Sequence, residues 1–201
     1  MLRRAILGLG LTLALAACGA EPVWAPDEAV ARARYVSGEP PSITLFTVVR
    51  KKTGEGAHSG IMIDGSQRVM FDPAGTWHHP TVPERNDLHF GITPRMKAFY
   101  IDYHARETYD VIEQKVFVTP EVAEMAIRRA QSQGAVAKAM CGTSVASILR
   151  DVPGFEGVPQ SFFPGRVMAG FAKLPGVTTK RHEDGDPDNN SGVLLVQKDQ
   201  S

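Results

Sequence analysis

Apolar and polar positions alternate in blocks along this chain. From Ser42 to Arg50 the sequence is Ser-Ile-Thr-Leu-Phe-Thr-Val-Val-Arg, rich in β-branched residues and partly alternating, which predicts a strand. A second apolar run, Ala57 to Ile63, leads into Asp64-Gly65-Ser66 and then Gln67 to Asp72, stopped by Pro73. Asp-Gly between two such segments predicts a hairpin. Tyr109 to Val118 predicts a fourth strand. Helical spacing appears after Thr93-Pro94, where Met96, Phe99, Tyr100 and Tyr103 fall on one face of a helix reaching about Arg106. Thr119-Pro120-Glu121 opens another, with Val122, Met125, Ala126 and Ile127 apolar and Gly134 beyond its end. A third begins at Cys141 and runs to about Arg150, before Pro153-Gly154, and a fourth covers Gly165 to Leu174.

The intervening stretches carry weaker patterns. Residues 19–41 read as a tether with one short helix after Pro26. Residues 73–92, with Pro73, Gly75, Pro80, Pro83 and Gly91, read as one long loop, the kind that is functional or mobile in a compact domain. Gly157 to Pro164 is loop, and the polar run Lys180 to Ser191, which has no aromatic residue, is expected to be disordered. Gly192 to Gln197 fits an edge strand or a frayed tail. There are no internal repeats. At 201 residues the chain has room for one domain, over residues 42–178, between the tether and a polar tail from 179 to 201.

The first residues read as a leader. Met1-Leu2-Arg3-Arg4 and the apolar run Ala5 to Ala17 fit a signal peptide, too short for a permanent membrane span. Leu15-Ala16-Ala17-Cys18 reads as a bacterial lipoprotein cleavage and lipidation site, so Cys18 is expected to carry acyl chains such as palmitate. Gly19, following it, lacks the aspartate of inner-membrane retention. A lipid anchor in the outer membrane facing the periplasm is the expected location, with the membrane as first partner. The whole chain holds 22 basic and 22 acidic side chains, and loss of the leader removes only Arg3 and Arg4. A slightly acidic mature protein argues against a nucleic-acid partner.

Cleavage and acylation would leave Cys141 as the one free thiol of the mature domain. An unpaired cysteine in an exported protein is unusual. A helix N-terminus favours the thiolate, through unsatisfied N–H groups and the positive end of the dipole, and so suits a nucleophile. The alternative is a small buried apolar residue, and a partner histidine has to decide. Of the six histidines, His78, His79 and His89 lie in the proline-rich loop, His182 in the polar tail and His104 on an amphipathic helix. His58 stands at the start of a strand, where a rigid element would fix its ring. If Asp64, Gly65 and Ser66 form a three-residue turn, Asp72 lies directly across from His58, at a Cβ separation of about 4.5–5.5 Å. A two- or four-residue turn puts Phe71 or Pro73 there instead, with His78 as substitute third group.

His58-Ser59-Gly60-Ile61 at a strand start, then a hairpin, then a cysteine opening a helix, resembles the circularly permuted papain-like (NlpC-type) cysteine hydrolases, which include relatives of lecithin:retinol acyltransferase. The histidine precedes the cysteine, which is the permuted order. Over roughly Ser42 to Leu149 the resemblance implies an α+β domain, an antiparallel sheet packed against helices. It implies Cys141 as nucleophile, His58 as general base and then acid, and Asp72 as the orienting group. It implies hydrolysis of amide, ester or thioester bonds in cell-wall (peptidoglycan) peptides or acyl lipids. Met140 stands where family members often carry a polar residue such as Asn, so the backbone N–H of Cys141 is left as oxyanion donor.

Two other readings use the same residues. A catalytically inert papain-like binding module at the envelope would keep Cys141 buried and unreactive. A zinc site on His78, His79, His89 and His104 fits no ligand spacing closely and ranks last. No cofactor or metal is implied, and a monomer is expected.

Overall fold

The computed structural model describes residues 19–194, so the leader and Cys18 lie outside the described residues. A short helix, α1 (Asp27–Ala33), precedes the central strand β1 (Ser42–Arg50). Then come β2 (Gly56–Asp64), β3 (Arg68–Phe71), the short β4 (Glu84–Arg85) and β5 (Leu88–Phe90), helix α2 (Pro94–His104) and β6 (Tyr109–Phe117). Helices α3 (Pro120–Ser132), α4 (Cys141–Leu149) and α5 (Pro164–Phe171) follow, and β7 (Thr178–His182) closes the order. The class is α+β: one seven-stranded antiparallel sheet, ordered β4-β5-β3-β2-β1-β6-β7, with helices on both faces.

The alternation along the strands divides the interior in two. Ile43, Leu45, Ile61, Ile63, Val69 and Phe71 pack under α3, α4 and α5. Phe46, Val48, Met62, Met70 and Val111 face the other way and receive Met96, Phe99, Tyr100 and Tyr103 of α2. Because both faces are covered, β1 is buried at every position except Arg50, which is why its polar alternation is only partial. The helix caps follow the sequence: Thr93 accepts from the Met96 N–H and Thr119 from the Val122 N–H, each with proline at the first helical position. The buried stripe of α3 is Ala123, Ala126, Ile127 and Ala130, so Ala126 and Ile127 lie inward as expected while Val122 and Met125 are half-buried at its edge.

Three stretches differ from expectation. Residues 73–92 hold β4 and β5, joined through Asn86 and Asp87 at φ of 49° and 66°. Two consecutive left-handed residues make a tight hairpin turn, and strands this short leave no periodicity to read. The run beginning at Lys180 is also ordered in large part: β7 pairs with β6, and beyond it the Lys51 amine donates to the Asp184 carbonyl at 2.6 Å and Asn190 to the Tyr103 carbonyl at 3.0 Å. An edge strand has one exposed face, so its polar side chains did not betray it. Residues 191–194 are helical, and 195–201 lie outside the described residues. The tether, finally, is pinned to the domain. Trp24 bridges to Arg85, and the Arg68 N–H donates to the Tyr35 carbonyl at 2.9 Å.

The β2–β3 hairpin carries a buried ion pair. Arg68 gives Nε and Nη2 to Asp64 Oδ2 at 2.9 and 2.6 Å, with both side chains almost fully buried, while Ser37 donates to Asp64 Oδ1 at 2.8 Å. Removing one partner leaves the other charge unpaired in the interior. Arg68→Ala is therefore expected to lower unfolding free energy by about 3–5 kcal/mol, read as a drop in the urea midpoint at unchanged slope.

Candidate functional site

The site begins at the junction of α4 and β2. Ala139, at φ 67°, turns the chain sharply into α4, and Met140 at its N-cap supplies no side-chain bond to the first-turn N–H groups. Cys141 is the first helical residue and is 6 % exposed. Glycine follows it for a reason of space: a Cβ on Gly142 would lie 2.5 Å from the Phe162 carbonyl oxygen. At the other end of the same segment, a Cβ on Gly56, which opens β2, would lie 2.5 Å from the Gly165 nitrogen. Residues 161–165 therefore span the two elements that carry Cys141 and His58.

The Cys141 side chain hydrogen-bonds the His58 ring, and the N–H groups of Ser59 and Gly142 also point at the sulfur. Across from it, His58 Nε2 lies 2.7 Å from Asp72 Oδ1. With Nε2 engaged by the carboxylate, Nδ1 is the nitrogen left for the thiol. All three residues singled out in the sequence thus meet, but the register argument that selected Asp72 is corrected. The pairs are Ile61 with Phe71, Met62 with Met70, Ile63 with Val69 and Asp64 with Arg68, so the turn is Gly65-Ser66-Gln67. Continued past the end of β3, this register sets Asp72 opposite Gly60 rather than His58. His58 reaches it diagonally, over a glycine that has no side chain in the way.

Glycine clears space on both sides of the carboxylate. A Cβ on Gly60 would lie 2.5 Å from the Tyr100 hydroxyl and 3.3 Å from Asp72 Oδ1. A Cβ on Gly75 would overlap Asp72 Oδ2. Tyr100, absent from the sequence-based site, donates its hydroxyl to Asp72 Oδ1 at 2.8 Å. His104, one turn later on α2, stacks on His58 with centroids 5.5 Å apart and planes 8° from parallel, and its Nδ1–H donates to the Tyr100 carbonyl at 2.8 Å. In the sequence Tyr100 reads as a member of an apolar helix face and His104 as a histidine on the same amphipathic helix. Their four-residue spacing was the available signal, and nothing in the sequence says which strand that face meets.

Burial sets the electrostatics, and charge then overrides it for the reacting groups. The Asp72 side chain is fully buried, which favours the neutral acid, yet His58, with smaller help from His104 and His89, holds it well below the usual carboxylate range. Burial likewise disfavours imidazolium at His58, but the charge and hydrogen bond of Asp72, assisted by Cys141, raise it to about 10. For Cys141, burial pushes the thiol up while the His58 bond and charge and the two N–H groups bring it below its ordinary value. The resulting row is a carboxylate, an imidazolium and a thiol biased toward its ionised form. His89 and His104 lack such a partner, and burial drops both to about 4.

The other candidates lie elsewhere. His78 is exposed and donates from Nδ1 to the Thr76 carbonyl at 3.1 Å, so it does not substitute for Asp72. His182 pairs with Glu113 at 2.8 Å. The histidines weighed as a zinc set do not converge. Among the described residues, ligating atoms come within 4.8 Å of one another in His58, Asp72 and His104, and in Asp102, Asp184 and Asp186. In the first group His58 and Asp72 are committed to each other, and in the second Arg106 already supplies the cation, 3.7 Å from Asp102 and 3.4 Å from Asp186. No described helix is long and apolar enough to cross a membrane. Comparison with family models, curated proteins and solved structures finds no match.

These groups give stability a defined pH dependence. His89 and His104 stay neutral in the fold down to about 4 but protonate near 6.5 when unfolded, so their contribution is complete above 6.5 and declines as pH falls toward 4. His58 has the opposite sign: its contribution is complete below 6.5 and is lost as pH rises through about 10. Urea midpoints measured against pH should therefore peak near 6.5, and His58→Ala should flatten the alkaline limb.

Proposed function

We propose that this chain is an envelope-anchored cysteine hydrolase of permuted papain-like architecture, with Cys141 as nucleophile, His58 as proton shuttle and Asp72 as the group that orients the imidazole. The observation that carries the reading is the continuous row from Asp72 Oδ1 through His58, at 2.7 Å, to the Cys141 sulfur at a helix N-terminus. The thiolate attacks a carbonyl carbon, and the charge that develops on oxygen meets the uncapped N–H of Cys141. His58 gives its proton to the leaving group, and the acyl thioester is then hydrolysed by a water whose proton the neutral ring accepts. The anchor is the acylated Cys18, which would hold this domain at the periplasmic side of the outer membrane.

The surroundings favour an acyl substrate over a peptidoglycan stem peptide. Met140, Phe162 and Phe163 are 37, 48 and 56 % exposed, and the two phenylalanines stack edge to face at 5.6 Å on the segment that joins the two catalytic elements. An exposed aromatic pair on the segment whose backbone meets Gly142 offers an apolar chain a surface to lie on. The slight exposure of Cys141 is also what an inert binding module would display, and its reactivity separates the two readings.

Iodoacetamide is expected to alkylate Cys141 in the folded protein at pH 7. His58→Ala should slow this about tenfold by returning the thiol toward its ordinary pKa. Cys141→Ala should abolish p-nitrophenyl ester hydrolysis with the urea midpoint kept, whereas a silent thiol and a destabilised Cys141→Ser protein would support the inert module. Among such esters, long acyl chains should be preferred to acetate, and Phe162→Ser with Phe163→Ser should remove that preference without changing alkylation.

A further inference from the structure

We infer that Tyr100 is the positioning residue of this site: its hydroxyl occupies the same Asp72 oxygen that faces His58, and so fixes the carboxylate across the ring and limits how much of its charge the imidazole receives. The inference rests on the hydrolase reading and adds the device that lets His58 give up its proton and take it back.

The Tyr100 ring packs in the core against Phe46 and Trp77, and its hydroxyl is the part aimed at the site. Its side chain is 1 % exposed, and its hydroxyl fills the space that any side chain at position 60 would need. Asp72 Oδ2 is buried without a hydrogen-bond partner against Gly75, so the two donors on Oδ1 are what hold the carboxylate. Burial and the neighbouring Asp72 charge both raise the phenol well above its ordinary pKa, which keeps it a donor throughout the useful range. The same turn of α2 brings His104, whose neutral ring backs His58 without adding charge.

Two donors on one oxygen divide its charge. Without the phenol, Oδ1 would answer to His58 alone, and a carboxylate with one donor holds an imidazolium more firmly. That would suit the thiolate but hinder deacylation, in which a neutral ring must accept a proton from water. The charged or titratable groups acting on His58 are Asp72 beyond β3, Cys141 on α4, His104 on α2 and Asp87 in the β4–β5 turn. Those acting on Asp72 further include Tyr100, His89 on β5 and Glu84 on β4.

The test is Tyr100→Phe in the full chain, with His58 followed by NMR titration of labelled histidine rings and Cys141 by iodoacetamide between pH 5 and 10. The His58 midpoint should rise and alkylation at pH 7 should persist. p-Nitrophenyl ester turnover should show an undiminished initial burst and a steady rate about tenfold lower. 3-Fluorotyrosine at position 100, a stronger donor of nearly the same shape, should move the midpoint down, and it serves if Tyr100→Phe fails to fold. An unmoved or lowered His58 midpoint in Tyr100→Phe, or an unmoved one with fluorotyrosine, overturns the inference. Failure of the hydrolase reading would show separately, as a wild-type thiol whose alkylation does not depend on His58.

Discussion

The buried carboxylate of Asp72 is the constraint around which the site is arranged. An anion without solvent must be neutralised or given cations and donors, and here it receives an imidazole and a phenol on one oxygen. The carboxylate makes His58 a cation, and the cation makes Cys141 a better thiolate. Each charge in the row is stabilised chiefly by its neighbour, with hydrogen-bond donors adding to it. Removing any one leaves a buried group whose protonation state no longer fits the others, so the three side chains titrate as a unit.

Such a row needs a scaffold that does not yield. The histidine lies on β2 and the carboxylate just past the end of the adjacent β3, in the middle of a sheet covered on both faces, and the cysteine comes from a helix packed on β2. Close approach is obtained by omitting side chains. Gly56 lets the start of α5 meet the start of β2, Gly142 admits the segment before α5, and Gly60 opens the diagonal between His58 and Asp72. The glycine of the His-Ser-Gly-Ile motif is thus explained by what occupies its missing Cβ, the phenol of Tyr100. Ala139, a non-glycine residue at positive φ immediately before the helix, is a strained position held where the chain must turn to present the thiol.

How much could be read from the chain follows from where the information is local. Ser42–Arg50 announced β1, and Thr93-Pro94 and Thr119-Pro120 announced two helices, because strand propensity and capping act over a few neighbours. Cys141 and His58 stood out as a lone thiol and a histidine on a rigid element, each a local oddity. Asp72 was reached by the right hairpin with the wrong turn, since Asp-Gly marks a turn without fixing which residue starts it, and a shift of one residue in the loop moves the facing pair by two. Tyr100 and His104 could not be assigned because an aromatic helix face looks alike whether it fills a core or braces a carboxylate. β4, β5 and β7 were hidden for related reasons: two are too short for a period, and the third lies on an edge where polar side chains are at home.

The energetics bear on whether the arrangement is merely packing. A free cysteine that serves as a small apolar residue needs no cation, and burial alone would keep it a thiol. Here an imidazolium, a carboxylate and a phenol converge beside it in an interior where taking charges from water is costly even when they are paired. Apolar residues of similar volume would commonly serve stability as well or better at such positions. His89 and His104, held neutral nearby against their ordinary pKa, add to that cost at acid pH. A fold that carries this expense next to an uncapped helix N-terminus and an exposed aromatic pair fits a site shaped for chemistry, because perturbed groups of opposite charge converging on a nucleophile are what acid–base catalysis by a thiolate requires.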